Sequence, residues 1–306
     1  MPVTLQRRLL RLLPLLGARV LDLAPGVAVL TRRRDVRVED LGGGAWLLLR
    51  GDSRRTAKLG QDCRLIGPRS LFTKDRARRD KALSDWLLLQ HLRDVLRRYR
   101  VDCVLDVGAN RGQYRNLLRR AGYRGRVVSF EPVPDVFAQL AAAAADDDLW
   151  EVHQVALGRE DGELDMHVVP GTLSSLLPPS AFGSARYERF QNATTMMKVP
   201  VRRLDAVLPD VLGPDLDGAR ILLKLDTQGF DLEAFAGASG VLDKVVALQS
   251  EVALLQIYEQ MPRMQESLSV YETAGFEVTG LYPVSREART GRVLEYDCIM
   301  VRAEAV

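Results

Sequence analysis

Aromatic side chains make up only 6% of this 306-residue chain, and few of them lie among its basic residues. A single-stranded nucleic-acid groove needs aromatics interleaved with cations, so their scarcity weighs against that use. Cysteine is scarcer still. Cys63, Cys103 and Cys298 lie far apart, with no CxxC and no metal spacing, which argues against a zinc site. An odd, sparse count suits a reducing compartment and a cytoplasmic location, and Cys103 and Cys298 read as small core residues. There are three histidines, His91, His153 and His167. None pairs at metal spacing; His91 reads as surface and His153 as a core residue. No uncharged run reaches the ~18 residues of a membrane span. The first thirty residues carry Arg7, Arg8, Arg11 and Arg19 among leucines, are interrupted by Pro14 and Gly17, and lack a clear signal-cleavage site. They read as a helix packed on its own domain, with peripheral membrane or partner contact as the other use.

At 47% hydrophobic the chain can bury a sizeable core, although it is long for one α/β domain and short for two. Its charge is uneven. Residues 1–100 hold 23 Lys and Arg against 10 Asp and Glu, and the remainder holds 20 against 30. A basic front of net +13 permits an anionic partner, but the scatter of the arginines favours solvated helix faces. Residues 1–100 read as a basic accessory region. It comprises a helix, a hairpin around Gly42-Gly43-Gly44, and a helix with Leu83, Leu87, Leu92, Val95, Leu96 and Tyr99 at helical spacing.

From 101 to 306 apolar strands alternate with helices through short connections, and two final strands form a hairpin. This predicts an α/β, doubly wound, mostly parallel Rossmann-like sheet with helices on both faces and a closing antiparallel hairpin. Ligands bind such sheets at the carboxyl ends of the strands, beside the switch in strand order. The first strand ends in Asp106-Val107-Gly108-Ala109-Asn110-Arg111-Gly112. Gly108 and Gly112 allow a tight turn and close approach of a ligand, and the helix start beyond them suits a carboxylate. The pattern is not the G-x-G-x-x-G of dinucleotide folds. The second strand ends in Glu131, placed to accept both hydroxyls of a ribose. The third would set Gln154, Ala156 and Leu157 near an adenine. A nucleoside ending in an amino acid fits both positions, which is S-adenosylmethionine. NAD ranks below it because its pyrophosphate wants a more glycine-rich turn.

The segments "VLDVGANRGQY", "VVSFEPVPDVFAQL", "HQVALGREDGELDMHV", "VPVRRLD", "ILLKLDTQGFDLEAFAGA" and "LQSEV" resemble, in order, the FkbM-type methyltransferases. The Lys224–Gly229 segment is the most specific of them. The resemblance implies a class I fold and S-adenosylmethionine-dependent O-methylation of hydroxyls on sugars and natural products. Where the family usually carries Glu, two residues after the glycine of "KLDTQG", this chain has Asp231.

Transfer to a hydroxyl needs an in-line acceptor and a proton sink. Asp226 and Glu251 end neighbouring strands and should leave the same sheet edge. Either is a candidate base, and together they are candidate ligands for a divalent cation such as Mg. For Asp226 the competing role is a helix cap. Lys224, inside an apolar strand, requires a carboxylate partner or an exit to solvent. The long, turn-rich segment 170–200 reads as an acceptor lid in which Ser174, Ser175, Tyr187 and Asn192 are hydrogen-bonding candidates, or else as a surface loop. A small-molecule hydroxyl acceptor and a homo-oligomer are expected. An RNA methyltransferase using the basic front is the second reading, although no N-P-P-Y tetrad is present. A non-catalytic binding module on the same fold is the third.

Overall fold

The structure, a computed structural model, describes residues 19–24, 27–31, 35–42, 45–50, 54–58, 64–68, 76–287 and 289–305. The helix expected near the amino terminus, with its membrane or partner contact, lies outside the described residues, as do Cys63 and Gly43-Gly44. The chain divides into two compact units, Met1–Asp80 and Lys81–Val306. The first holds three antiparallel hairpins: β1 (Arg19–Ala24) with β2 (Val27–Thr31), β3 (Val36–Gly42) with β4 (Ala45–Arg50), and β5 (Arg54–Lys58) with β6 (Arg64–Pro68).

Helix α1 (Arg76–Arg98) runs into the second unit. The sequence reading set a boundary at 100/101, whereas the division falls at 80/81. The cause is the buried stripe of α1. Leu88, Leu92, Val95 and Leu96 join one apolar cluster with Val104, Val127, Leu222 and Ile299 of the sheet. Burying each such side chain contributes about 1.5–3 kcal/mol. The helical phase also differs from expectation. Leu88 is buried and Leu87 is exposed, because the three-leucine run Leu87–Leu89 satisfies either phase.

The main sheet has seven strands: β7 (Cys103–Val107), β8 (Arg126–Phe130), β9 (Trp150–His153), β13 (Ile221–Leu225), β14 (Val245–Ala253), β15 (Glu277–Arg286) and β16 (Val293–Val301). Their spatial order is β15-β16-β14-β13-β7-β8-β9. Strands β14, β13, β7, β8 and β9 run parallel to one another, and β16 is antiparallel to both β14 and β15. Every residue of β7 and β13 is buried, as expected for central strands covered on both faces. Cys103, Leu105 and Val107 face one cluster and Val104 the other, the two-residue period of a strand. Helices α2 (Gln113–Arg120), α3 (Pro134–Ala144), α6 (Leu204–Leu212), α7 (Asp231–Ala236) and α8 (Met264–Thr273) complete the unit. The chain runs outward through β8 and β9, then returns to β13 beside β7, so the carboxyl ends of β7 and β13 flank the switch in strand order.

A second, three-stranded sheet, β10 (Ala156–Leu157), β11 (Gly162–Val168) and β12 (Thr195–Arg202), has the order β10-β12-β11. The segment read as a lid or loop holds helices α4 (Ala181–Arg186) and α5 (Glu188–Asn192). Ser180 caps α4 by accepting from Gly183 N at 3.0 Å and donates to Gln256 O at 2.8 Å. Val169 and Phe190 pack with Ala253, Ile257, Tyr258 and Met261. The segment is therefore docked on the chain that follows β14.

Candidate active site

Beyond Val107 the backbone turns through Gly108 (φ 74°), Asn110 (φ 50°) and Gly112 (φ 81°) into α2. Gly108 N and Ala109 N both donate to Phe130 O at 3.0 Å, locking the turn to the end of β8. Asn110 N donates to Glu131 Oε2 and Val133 N to Glu131 Oε1, each at 2.9 Å. The Glu131 side chain, on a residue only 6% exposed, is thus oriented by two backbone donors. Burial pushes its pKa up, and those donors oppose the rise. The Asn110 side-chain amide donates to Gly171 O at 3.1 Å, tying the turn to the docked segment.

A cavity of about 830 Å³ opens here. Gly108, Ala109, Asn110, Phe130, Glu131 and Val133 form one wall and Val155, Ala156 and Leu157 continue it. Lys224, Asp226, Gln249, Glu251 and Asp297 line it as well. Ser174 reaches it, with its hydroxyl already engaged by Val169 N and O.

Other expected site residues do not line the cavity. Gln154 is exposed outside it, because it lies one residue past the end of β9, where the strand no longer sets its direction. Gly112 serves packing: a Cβ there would stand 2.4 Å from the Trp150 ring. Asp106, 0% exposed, binds Lys224 Nζ at 2.9 Å and acts beneath the turn. Ser175 is fully buried and donates to Gln228 O at 2.7 Å. Tyr187 sits in the α4–α5 segment, edge-on to Phe190. His91, expected at the surface, is half-buried, with its Nδ1 2.8 Å from the Tyr282 hydroxyl. His153 stacks on Phe130 with centroids 5.4 Å apart.

Lys224 is the pivot of the buried polar set. Its Nζ lies 2.9 Å from Asp106, 3.4 Å from Asp226 and 3.2 Å from Gly108 O. Burial alone would lower its pKa, but Asp106 and Asp226 outweigh this and hold the ammonium above its ordinary value. The side chain of Asp226 is 32% exposed. Gln228 Nε2 donates to Asp226 Oδ1 at 3.1 Å and to Glu251 Oε2 at 3.2 Å, while the Tyr258 hydroxyl donates to Gln228 Oε1 at 3.0 Å. The Asp226 carboxylate oxygen accepts, so it is the Nε2 end of the amide that faces it. Burial, with Asp226 and Glu295 adding repulsion, raises the Glu251 carboxyl well above the ordinary range.

This arrangement does not fit a divalent cation between Asp226 and Glu251. The Gln228 amide nitrogen and the Lys224 ammonium already serve these carboxylates, and among the described residues no three His, Cys, Asp or Glu side chains group to hold a metal. Neither Asp226 nor Asp231 caps α7, whose N-cap residue Phe230 makes no side-chain cap bond. The Asp231 carboxylate accepts from Thr227 N at 2.7 Å and from Ser250 Oγ at 3.1 Å. The sequence reading missed Tyr114, Gln249, Gln228 and Asp297. Tyr114 donates to Gln249 Oε1 at 2.7 Å, and Gln249 Nε2 to Asp297 Oδ1 at 3.0 Å. The signal was present as polar residues, Gln249 and Asp297, inside the apolar runs of β14 and β16.

Residues 106–278 match the methyltransferase FkbM domain. The chain belongs to the FkbM methyltransferase family. It is an S-adenosylmethionine-dependent methyltransferase, and the matched span covers the turn at Gly108, Glu131, Lys224, Asp226 and Glu251. No curated protein gives a significant sequence match. Among solved structures, the chain is similar to magnesium protoporphyrin IX methyltransferase from Synechocystis PCC 6803 with bound S-adenosylmethionine, at 10% identity over 75% of this chain and 85% of that one, TM-score 0.41. It is also similar to Aeropyrum pernix fibrillarin with bound S-adenosylmethionine, at 12% identity over 93% and 94%, TM-score 0.37. A methyltransferase from Aquifex aeolicus matches at 15% identity over 73% and 97%, TM-score 0.33. At these scores the structures carry no argument about acceptor or mechanism, and membership of the FkbM family rests on the domain match.

Proposed function

We propose that this FkbM methyltransferase transfers a methyl group to a hydroxyl of a small molecule, a sugar or natural product. One observation carries the reading: a single cavity joins the Gly108–Glu131 cradle to Asp226, Glu251 and Asp297. S-adenosylmethionine bound there supplies an electrophilic methyl on a sulfonium. Glu131, already oriented by two backbone N–H groups, keeps lone pairs for a ribose diol. Phe130, Val133, Ala156 and Leu157 offer apolar surface to the base. Asp226 takes the acceptor's proton, and the Lys224 ammonium stands 3.4 Å from its carboxylate. Asp226, Glu251 and Asp297 line the cavity and offer hydrogen-bond partners to hydroxyl groups, which supports a small hydroxylated acceptor.

Two variants test this by calorimetry with S-adenosylhomocysteine and by turnover. Glu131→Ala should weaken cofactor affinity. Asp226→Asn should leave affinity intact and lower turnover about 10²–10⁴-fold, the usual worth of a placed base. Wild-type turnover in Asp226→Asn would remove it as the base, and failure of the wild-type protein to bind S-adenosylhomocysteine would favour a non-catalytic module.

A further inference from the structure

We infer that α1 supplies the acceptor subsite, with the Trp86 indole as the platform on which a flat-faced ring of the acceptor stacks. The inference rests on the methyl-transfer reading above. Ala82, Asp85, Trp86 and Leu89 all line the cavity. Their spacing of i, i+3, i+4 and i+7 makes them one stripe of a helix. Leu88 and Leu89, which both line the cavity, pack with Leu92 and Val95 in the cluster against the sheet, so the cavity-facing stripe is held on a rigid support.

Trp86 is 57% exposed, although an indole gains more from burial than most side chains. Among the described residues its ring has no aromatic or cationic partner. Beside it, Lys81 Nζ and Asp85 Oδ1 pair at 2.8 Å, one helical turn apart, and both reach the cavity. Asp226, Glu251 and Asp297 line the same cavity. An aromatic face together with carboxyl groups in one cavity suits a ring with an apolar face and hydroxyl edges. A pyranose has that character, and so does a hydroxylated aromatic ring. The α1 residues, with Val284 and Asp297, fall outside the family-matched span of 106–278. This wall is therefore separable from the cofactor cradle.

The test uses the full chain, methyl-tritiated S-adenosylmethionine and a desalted small-molecule extract of cells that express the protein. The wild-type enzyme should label a product. Trp86→Ala should cut that label about tenfold or more, as loss of a stacked ring predicts, with unchanged affinity for S-adenosylhomocysteine. Trp86→Phe should keep most of the label. Mild acid hydrolysis then separates the two ring types: label released with a monosaccharide marks a pyranose, and label retained on the aglycone marks an aromatic ring. Equal labelling by Trp86→Ala and wild type overturns the platform while sparing the proposed function. Weakened cofactor affinity in Trp86→Ala also overturns it, by assigning the indole to the cofactor. A wild-type enzyme that binds S-adenosylhomocysteine and labels no small molecule defeats the proposed function, and the subsite falls with it.

Discussion

Gly108 shows what a single missing methyl group does here. Its φ is +74°, and a Cβ would stand 2.0 Å from Asp226 O. The sequence suggested that this glycine lets a ligand approach. It also lets the end of β13 approach, which is how the turn and Asp226 come to share a cavity. Gly108→Ala should cost about 1–2 kcal/mol in left-handed strain alone, with more for the displaced strand end. A lowered urea midpoint and weakened S-adenosylhomocysteine binding are the expected readouts, and a wild-type midpoint would contradict this account. Glu131, Lys224 and Asp226 were legible because acids and lysines inside apolar strands demand an explanation. Gln154 and Gly112 misled because pattern alone does not say which way a side chain at a strand end points, or that Trp150 fills the space beside Gly112. Asp106 was legible as special, yet its part is to hold Lys224 from below.

The final hairpin carries a device that its sequence pattern did not announce. Register places Glu251 opposite Asp297, and Glu295 is buried two residue pairs along the same strand. Burial, with repulsion from Asp226, Asp231 and Asp297, pushes the Glu295 carboxyl up to about 7 from 4.5. A carboxyl whose folded pKa is raised contributes most to stability below its unfolded value and loses that contribution as pH rises through the folded one. Stability should therefore fall between about pH 4.5 and 7 on this account. Glu295→Gln should flatten that slope and stabilise the protein at pH 8 by roughly 1–3 kcal/mol; thermal melts at pH 5 and pH 8 measure both, and an unchanged slope would refute it. The alternation of strands and helices was readable from period and punctuation. The phase of α1 was not, since Leu87, Leu88 and Leu89 present apolar surface in every direction. Nor was the order in segment 170–200, because its polar composition hides the two side chains, Phe190 and Ser180, that dock it.

The two compact units divide the charge as well as the fold, and every residue lining the cavity lies between Lys81 and Asp297. Residues 81–306 expressed alone should therefore bind S-adenosylhomocysteine as tightly as the full chain does, within a factor that calorimetry would register as about 0.5 kcal/mol. A tenfold loss would show that Met1–Asp80 supports the cofactor cradle. Local pattern in the chain was enough to determine the class of sheet, the glycine turn after β7 and the family, since each is written in contiguous residues whose spacing mirrors backbone geometry. Only the tertiary structure decided that α1 belongs with the sheet, that Gln228 stands between Asp226 and Glu251, and that Trp86 faces the same cavity as both. The last joins residues 140 and more positions apart, and all three come from strand order and packing, which no local period encodes.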